Sequence, residues 1–305
     1  VTNIERPEGW IEEVGVEHLQ LVADFEAQWE REGCYNSDPW PDHAGYGVRL
    51  YGVTDGWVRG VTVRHVWHSA VYLSGQTVRV TVADCANLDM VPIRSRGSGG
   101  RRYSFDAKSS QQNLFLRCYS ETGRHDFTMQ SRVPGPVAFV DCLATKAYSV
   151  TEPHRFYNTG VLYDNVRVER PTERSAYLGA LRPAAGRMQA RKLGNRSWQG
   201  AWTVMWNCGS RSVRVDDPPD ARNLIVGRWP KAGEKPDHPG GIYTDEYVAY
   251  QYPWSYTHHT ERVEPRSLFF YQLEQRLGEE PTWLMTEAER EGDMEKIRRQ
   301  LENVE

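Results

Sequence analysis

The sequence predicts an all-β fold, a coil of short strands stacked on one another, on three observations. A β-rich run closing at Cys118 (NLFLRC) returns as one closing at Cys142 (VAFVDC) and again at Val166 (VLYDNV), at a constant interval of 24 residues. The same phrase extends outward through VTVRHV, closing at Val66, VTVADC at Cys85 and VMWNC at Cys208. Four of the runs carry Asp84, Asp141, Asn165 or Asn207 just before the closing residue. Periods of about 20 to 30 residues with one β-run each mark stacked coils, because a lone coil cannot bury its apolar face without neighbours. A short polar residue followed by a small apolar one suits a corner that bends tightly and then points inward.

Val14 to Ala23 alternates apolar and polar residues and predicts a strand. Residues 26–47 form a polar, aromatic excursion in which Trp40, Asp42 and His43 are candidate substrate contacts. A loop of that length is either functional or a cover over the coil edge. Val48 to Cys85 reads as successive short strands broken by Gly and Asp. The Gly-rich stretch 91–108 gathers basic residues, Arg102 and Lys108 among them. It is either a solvated loop or a clamp for carboxylates, since a fork of Arg donors matches carboxylate geometry. Residues 171–202 are again loop-like, and NLIVG near 223–227 is the last regular strand of a solenoid spanning 1–227. The segment 228–305 starts without periodicity. Within it Ser267 to Gly278 predicts a short helix, with a cap residue in front and a glycine behind. Met294, Ile297, Leu301 and Val304 predict a second helix that caps the solenoid or packs on it, docks on a partner and so mediates oligomerisation, or frays.

A chain of 305 residues with 39% hydrophobic and 26% charged residues and a net charge of −4 is an ordinary globular composition and gives no sign of a general nucleic-acid binder. No apolar run approaches the roughly 18 residues that cross a bilayer. No charged-then-apolar leader precedes Val1, and the abrupt start leaves room for a removed signal and earlier coils. Eleven Trp and sixteen Tyr supply either stacking surfaces for sugar rings or packing between coils. Cys85, Cys118, Cys142 and Cys208 share one repeat position and are expected to point inward as small apolar residues. Stacked coils would still bring Cys118 and Cys142 within about 5 Å at Cα, inside disulfide range.

The coil period, the corner Asp and Asn, the inward Cys and Val ladder and the terminal helix resemble the right-handed parallel β-helix of the pectin-lyase-like superfamily, over roughly residues 14 to 227. The phrases GRHDF (Gly123 to Phe127) and EPHRFYNTGVLYDNV (Glu152 to Val166) are similar to a group of bacterial β-helix proteins. The resemblance implies a secreted, periplasmic or cell-surface enzyme acting on acidic polysaccharide, usually a lyase, although the fold also hosts hydrolases, transferases and adhesins. The acidic calcium-binding set of pectate lyases is absent, and no CxxC pair suggests zinc, so neither metal nor cofactor is expected. Phosphate-loop, HExxH and GxSxG motifs are absent as well.

Elimination next to a uronate needs its carboxylate neutralised, the C5 proton removed and the leaving oxygen protonated. GRHDF offers Arg124, His125 and Asp126 after the Cys118 strand, and EPHRF offers Glu152, His154 and Arg155 after the Cys142 strand. Neighbouring coils lie about 4.8 Å apart, so these turns are expected to flank one groove. In that arrangement His125 is the base, Tyr163 or His154 the acid, Arg124 and Arg155 hold the carboxylate, and Asp126 or Glu152 orients a histidine. One alternative is glycoside hydrolysis or transfer by Asp126 and Glu152 as a carboxylate pair. The other is a non-catalytic glycan-binding or surface-assembly β-helix. Histidine and aspartate on neighbouring strand positions face opposite sides unless the turn bends.

Overall fold

The computed structural model describes residues 9–25, 43–91, 102–147, 149–155, 157–169, 180–181, 199–210, 212–213, 221–228 and 262–303. Every strand pairing among them is parallel, and pairing partners come from successive coils. The chain is a right-handed parallel β-helix. The expected stacking is realised in register: Leu116 pairs with Val140 and Val140 with Asp164, while Tyr119 pairs with Leu143 and Leu143 with Arg167. One column of side chains thus runs Val82, Phe115, Phe139, Tyr163, Met205 through the interior. Phe115, Phe139 and Tyr163 stack at centroid separations of 4.7 and 5.3 Å. Such offset stacks contribute beyond the area they bury.

The corners explain the polar residues of the repeat. His18, Gly60, Asp84, Arg117, Asp141, Asn165, Asn207 and Gly227 all have φ between 49° and 68°. This left-handed conformation is tolerated best by Gly, Asn and Asp. It turns the next residue inward, so Val61, Cys85, Cys118, Cys142, Val166 and Cys208 line the core. Val61, not Val66, holds the equivalent place in its coil, because Trp57 pairs with Thr81 and Thr62 with Ala86. Val66 follows a second corner, at His65, Asp89, Thr122 and Lys146, which repeats the same polar-then-small pattern. The four ladder cysteines are buried and free. Burial pushes the Cys85 thiol up to about 12, so it behaves as an apolar side chain.

A five-stranded sheet forms a third face: β1 (Tyr46–Tyr51), β2 (Ser69–Ser74), β3 (Phe105–Lys108), β4 (Phe127–Gln130) and β5 (Pro153–His154). Three of the expected loops are therefore narrower than the sequence suggested. β1 starts inside 26–47, β3 inside 91–108, and Ala180–Leu181 and Gly200–Ala201 are strands inside 171–202. Phe105 and Ala107, inside the expected loop 91–108, pack into the core, as do Phe127 and Met129 of the next coil.

Among the described residues the C-terminal segment holds α1 (Leu268–Leu277), α2 (Glu287–Glu291) and α3 (Met294–Glu302). Ser267 caps α1 and Gly278 ends it at φ 76°, as its sequence predicts. The short α2 has a capping box between Thr286 and Glu289. Met294, Ile297 and Leu301 of α3 pack on Ala86, Leu88, Tyr119 and Leu143, so this helix covers a side of the solenoid and not its end. Val304 lies outside the described residues. The corner residues anchor the segment. Arg266 donates to both oxygens of Asp141, at 2.7 and 3.1 Å, and Ser267 Oγ and the Phe269 N–H donate to Asp164. Arg117 joins Asp84 to the buried Glu289 of α2.

Candidate functional site

Since Phe105, Ala107, Phe127 and Met129 face the core, strand alternation turns Asp106, Lys108, Thr128 and Gln130 to the outer side of the five-stranded sheet. His154 pairs in register with Gln130, and the Glu152 carbonyl accepts from Thr128 Oγ1 at 2.7 Å. Gln130 in turn donates to Asp106. Burial raises the Asp106 carboxyl well above its ordinary range, with Lys108 and Arg155 close enough to act on it.

His125 sits two residues before β4 on a bend. The amides of Arg124 and His125 both donate to the Arg102 carbonyl, at 2.8 and 3.2 Å, which fixes that bend. Nδ1 of His125 lies 2.5 Å from the Val150 carbonyl, an acceptor. This sets the proton on Nδ1 and leaves the lone pair on Nε2, which is buried without a partner. The His125 and His154 ring centroids are 4.4 Å apart, and Glu152 Oε1 stands 3.4 Å from His154 Nδ1. Gln199 Nε2 donates to the same carboxylate oxygen at 3.4 Å. Burial, helped by His154 and Arg124, holds the His125 imidazole well below the usual histidine range, so the ring is neutral.

The two expected turns do meet, with Glu152 beside them, but two members of the expected set lie elsewhere. The bend turns Asp126 inward, where Oδ1 accepts from Ser104 Oγ at 3.1 Å and Ser120 Oγ at 2.6 Å. A side chain at Gly123 would collide with these groups, so the close approach requires glycine. Burial pushes the Asp126 carboxyl up to about 6. It is an interior group, which removes it as a partner for His125 and as half of a carboxylate pair with Glu152. Tyr163 is likewise a core residue, fully buried, its hydroxyl donating to the Phe127 carbonyl at 3.2 Å. It cannot be the acid, because both its ring and its proton are committed inside the coil.

Arg124 is half-buried beside His125, Arg155 is exposed at the end of β5, and Lys108 is half-buried on the outer face. Arg102 is buried, and its backbone carbonyl accepts from the amides of Arg124 and His125. His43 lies farther along the same edge, Nε2 on the His65 carbonyl at 2.6 Å. Trp40 and Asp42 fall outside the described residues. Sequence reasoning missed His68 and Tyr103. Tyr103 stacks on His125 at 5.3 Å, touches the His68 ring at 5.2 Å and sets its hydroxyl 3.4 Å from His154 Nε2. The signal was present: Tyr103 and His125 each stand two places before the inward phenylalanine of their coil, in YSF and HDF. The absence of a metal set was also expected, yet one ligand atom from each of His125, Glu152 and His154 lies within 4.8 Å of the others.

No family model matches the chain, and no curated protein is similar to it in sequence. Among solved structures, the endo-xylogalacturonan hydrolase from Aspergillus tubingensis is similar at 10% identity and a TM-score of 0.34, over 72% of this chain and 68% of that one. The β-helical architecture rests on the strand register itself.

Proposed function

We propose that the protein is a carbohydrate-active enzyme that cleaves an acidic, uronate-containing polysaccharide by β-elimination, with His125, His154 and Glu152 as its centre. The observation that carries this reading is the meeting of two imidazoles at 4.4 Å beside a carboxylate, on an outer face bordered by Arg124, Arg155 and Lys108. His125, neutral and with its lone pair on Nε2, accepts the C5 proton once the substrate displaces the side chains that cover that nitrogen. His154, its Nδ1 near Glu152, protonates the leaving glycosidic oxygen as the C4–O bond breaks and the C4–C5 double bond forms. The cationic side chains neutralise the substrate carboxylate, whose negative charge grows in the transition state. The interior position of Asp126 argues against the carboxylate-pair hydrolase.

A non-catalytic glycan-binding role is favoured by a different feature. Arg49 lies 5.6 to 5.7 Å from the ring centroids of Tyr46, Tyr51 and Tyr72, a cation-and-ring strip on the same face. Incubation with a panel of uronate-containing and neutral polysaccharides, read by near-ultraviolet absorbance and by reducing ends, separates the readings. Elimination gives an unsaturated, absorbing product. Saturable binding with no change in glycan size would replace the enzyme with a binding module.

A further inference from the structure

We infer that His125, Glu152 and His154 form a binding site for one divalent transition-metal ion of the zinc class. The inference goes beyond the glycan reading and does not rest on it. Two imidazoles and a carboxylate are the borderline donor set that zinc-like ions take, with a fourth position left open. Around such an ion, bonds of about 2.0 to 2.2 Å place neighbouring ligand atoms on the order of 3.3 Å apart. The edge between Glu152 Oε1 and His154 Nδ1 is already 3.4 Å, too long for a good hydrogen bond but close to a ligand edge. One ligand atom from each of the three residues lies within 4.8 Å of the other two.

The outer contacts point the same way. Metal-bound histidines commonly have their other ring nitrogen held by an oxygen, which fixes tautomer and orientation. Here Val150 O holds Nδ1 of His125, and the Tyr103 hydroxyl stands 3.4 Å from Nε2 of His154. The Gln199 amide stands 3.4 Å from the same carboxylate oxygen of Glu152. His125, only 2% exposed, keeps Nε2 without any partner, a cost that an ion would remove. A bound ion would occupy the lone pair that the proposed proton transfer uses, so the elimination belongs to the metal-free protein and Zn²⁺ is expected to inhibit it.

The full-length protein, stripped with chelator, is titrated with Zn²⁺ and with Co²⁺ and Ca²⁺ in parallel, by calorimetry and by metal analysis after desalting. The expected result is one Zn²⁺ per chain, Co²⁺ visible bands of a nitrogen-ligated site, and no retained Ca²⁺. His154→Ala is expected to weaken Zn²⁺ binding by more than about 100-fold, and Gln199→Ala by about 10-fold. Glu152→Gln keeps the side chain's shape while removing the anionic donor, and is expected to weaken binding with an unchanged circular dichroism spectrum. Absence of stoichiometric Zn²⁺ and Co²⁺ binding to the wild type overturns the inference, as does unchanged affinity in folded Glu152→Gln. Failure of the metal-free protein on the glycan panel, alongside one tight Zn²⁺ site, would overturn only the glycan reading.

Discussion

Two strips of polar residues run along this solenoid, and each keeps a buried atom without a partner, Asn165 Oδ1 in one and His125 Nε2 in the other, but they differ in the bonds around it. Along the first corner, Asp141 takes two bonds from Arg266, Asp164 accepts from Ser267, Phe269 and Asn165, and Asn207 bonds the Val263 backbone through both its amide atoms. At the bend before β4, His125 keeps a buried nitrogen without a partner, while the contacts joining His154, Glu152, Tyr103 and Gln199 are all 3.4 Å. The corner strip exchanges solvent for short, charge-assisted bonds and thereby fastens the C-terminal segment. The histidine strip retains unspent donors and acceptors, the condition of a site prepared for something that is not part of the chain.

The contrast can be broken by substitution. His125→Ala is expected to lower turnover on the responsive polysaccharide by about 10²- to 10⁴-fold, measured by absorbance, with the chain still folded by circular dichroism. Arg266→Ala should do the reverse, keeping the histidine cluster but stranding the fully buried Asp141 carboxylate at a cost of about 3 to 5 kcal/mol, read by denaturant unfolding. If Arg266→Ala is silent in stability, the corner strip does not fasten the segment.

Proton binding sharpens the same comparison. Burial pushes the carboxyls of Asp164 and Glu289 up to about 7 each, from ordinary values of 3.8 and 4.5. Groups with raised native values bind protons more tightly when folded, so their contribution is complete below about pH 4 and is lost as pH rises through about 7. Protection of α1 and α2 amides from hydrogen exchange, corrected for intrinsic rates, should therefore weaken between pH 5 and pH 8 by a margin that Asp164→Asn reduces by roughly half, leaving the Glu289 share. The smallest expected effect is that of Tyr163→Phe. It should cost about 1 kcal/mol for the lost bond to Phe127 and leave turnover unchanged, whereas a large loss of turnover would return Tyr163 to the chemistry.

Much of the coil was legible because its period is sequence-local. Three successive coils of 24 residues keep Cys118, Cys142 and Val166 in register, and left-handed corners select Asp and Asn visibly. The misplacement of Val66 has a physical origin: two corners per coil share one polar-then-small pattern, so composition alone cannot tell them apart. Arg117 occupies the same left-handed corner without the expected residue type, and its side chain pairs with Asp84 and with the distant Glu289. The meeting of His125 and His154 followed from stacking. The opposite facing of His125 and Asp126 was also expected; what the sequence did not show is how Asp126 is held inside, by a bend fixed on the Arg102 carbonyl and by serines from two other segments. The capping box that starts α2 was written in TEAE and only needed reading.

The most direct test of the histidine centre is a double-mutant cycle of turnover with His125→Ala and His154→Ala on the polysaccharide that responds. Two imidazoles 4.4 Å apart that serve one elimination should give a double variant hardly slower than either single one, because losing one partner already disables the other. Losses that simply multiply, or single variants as fast as the wild type, would contradict it.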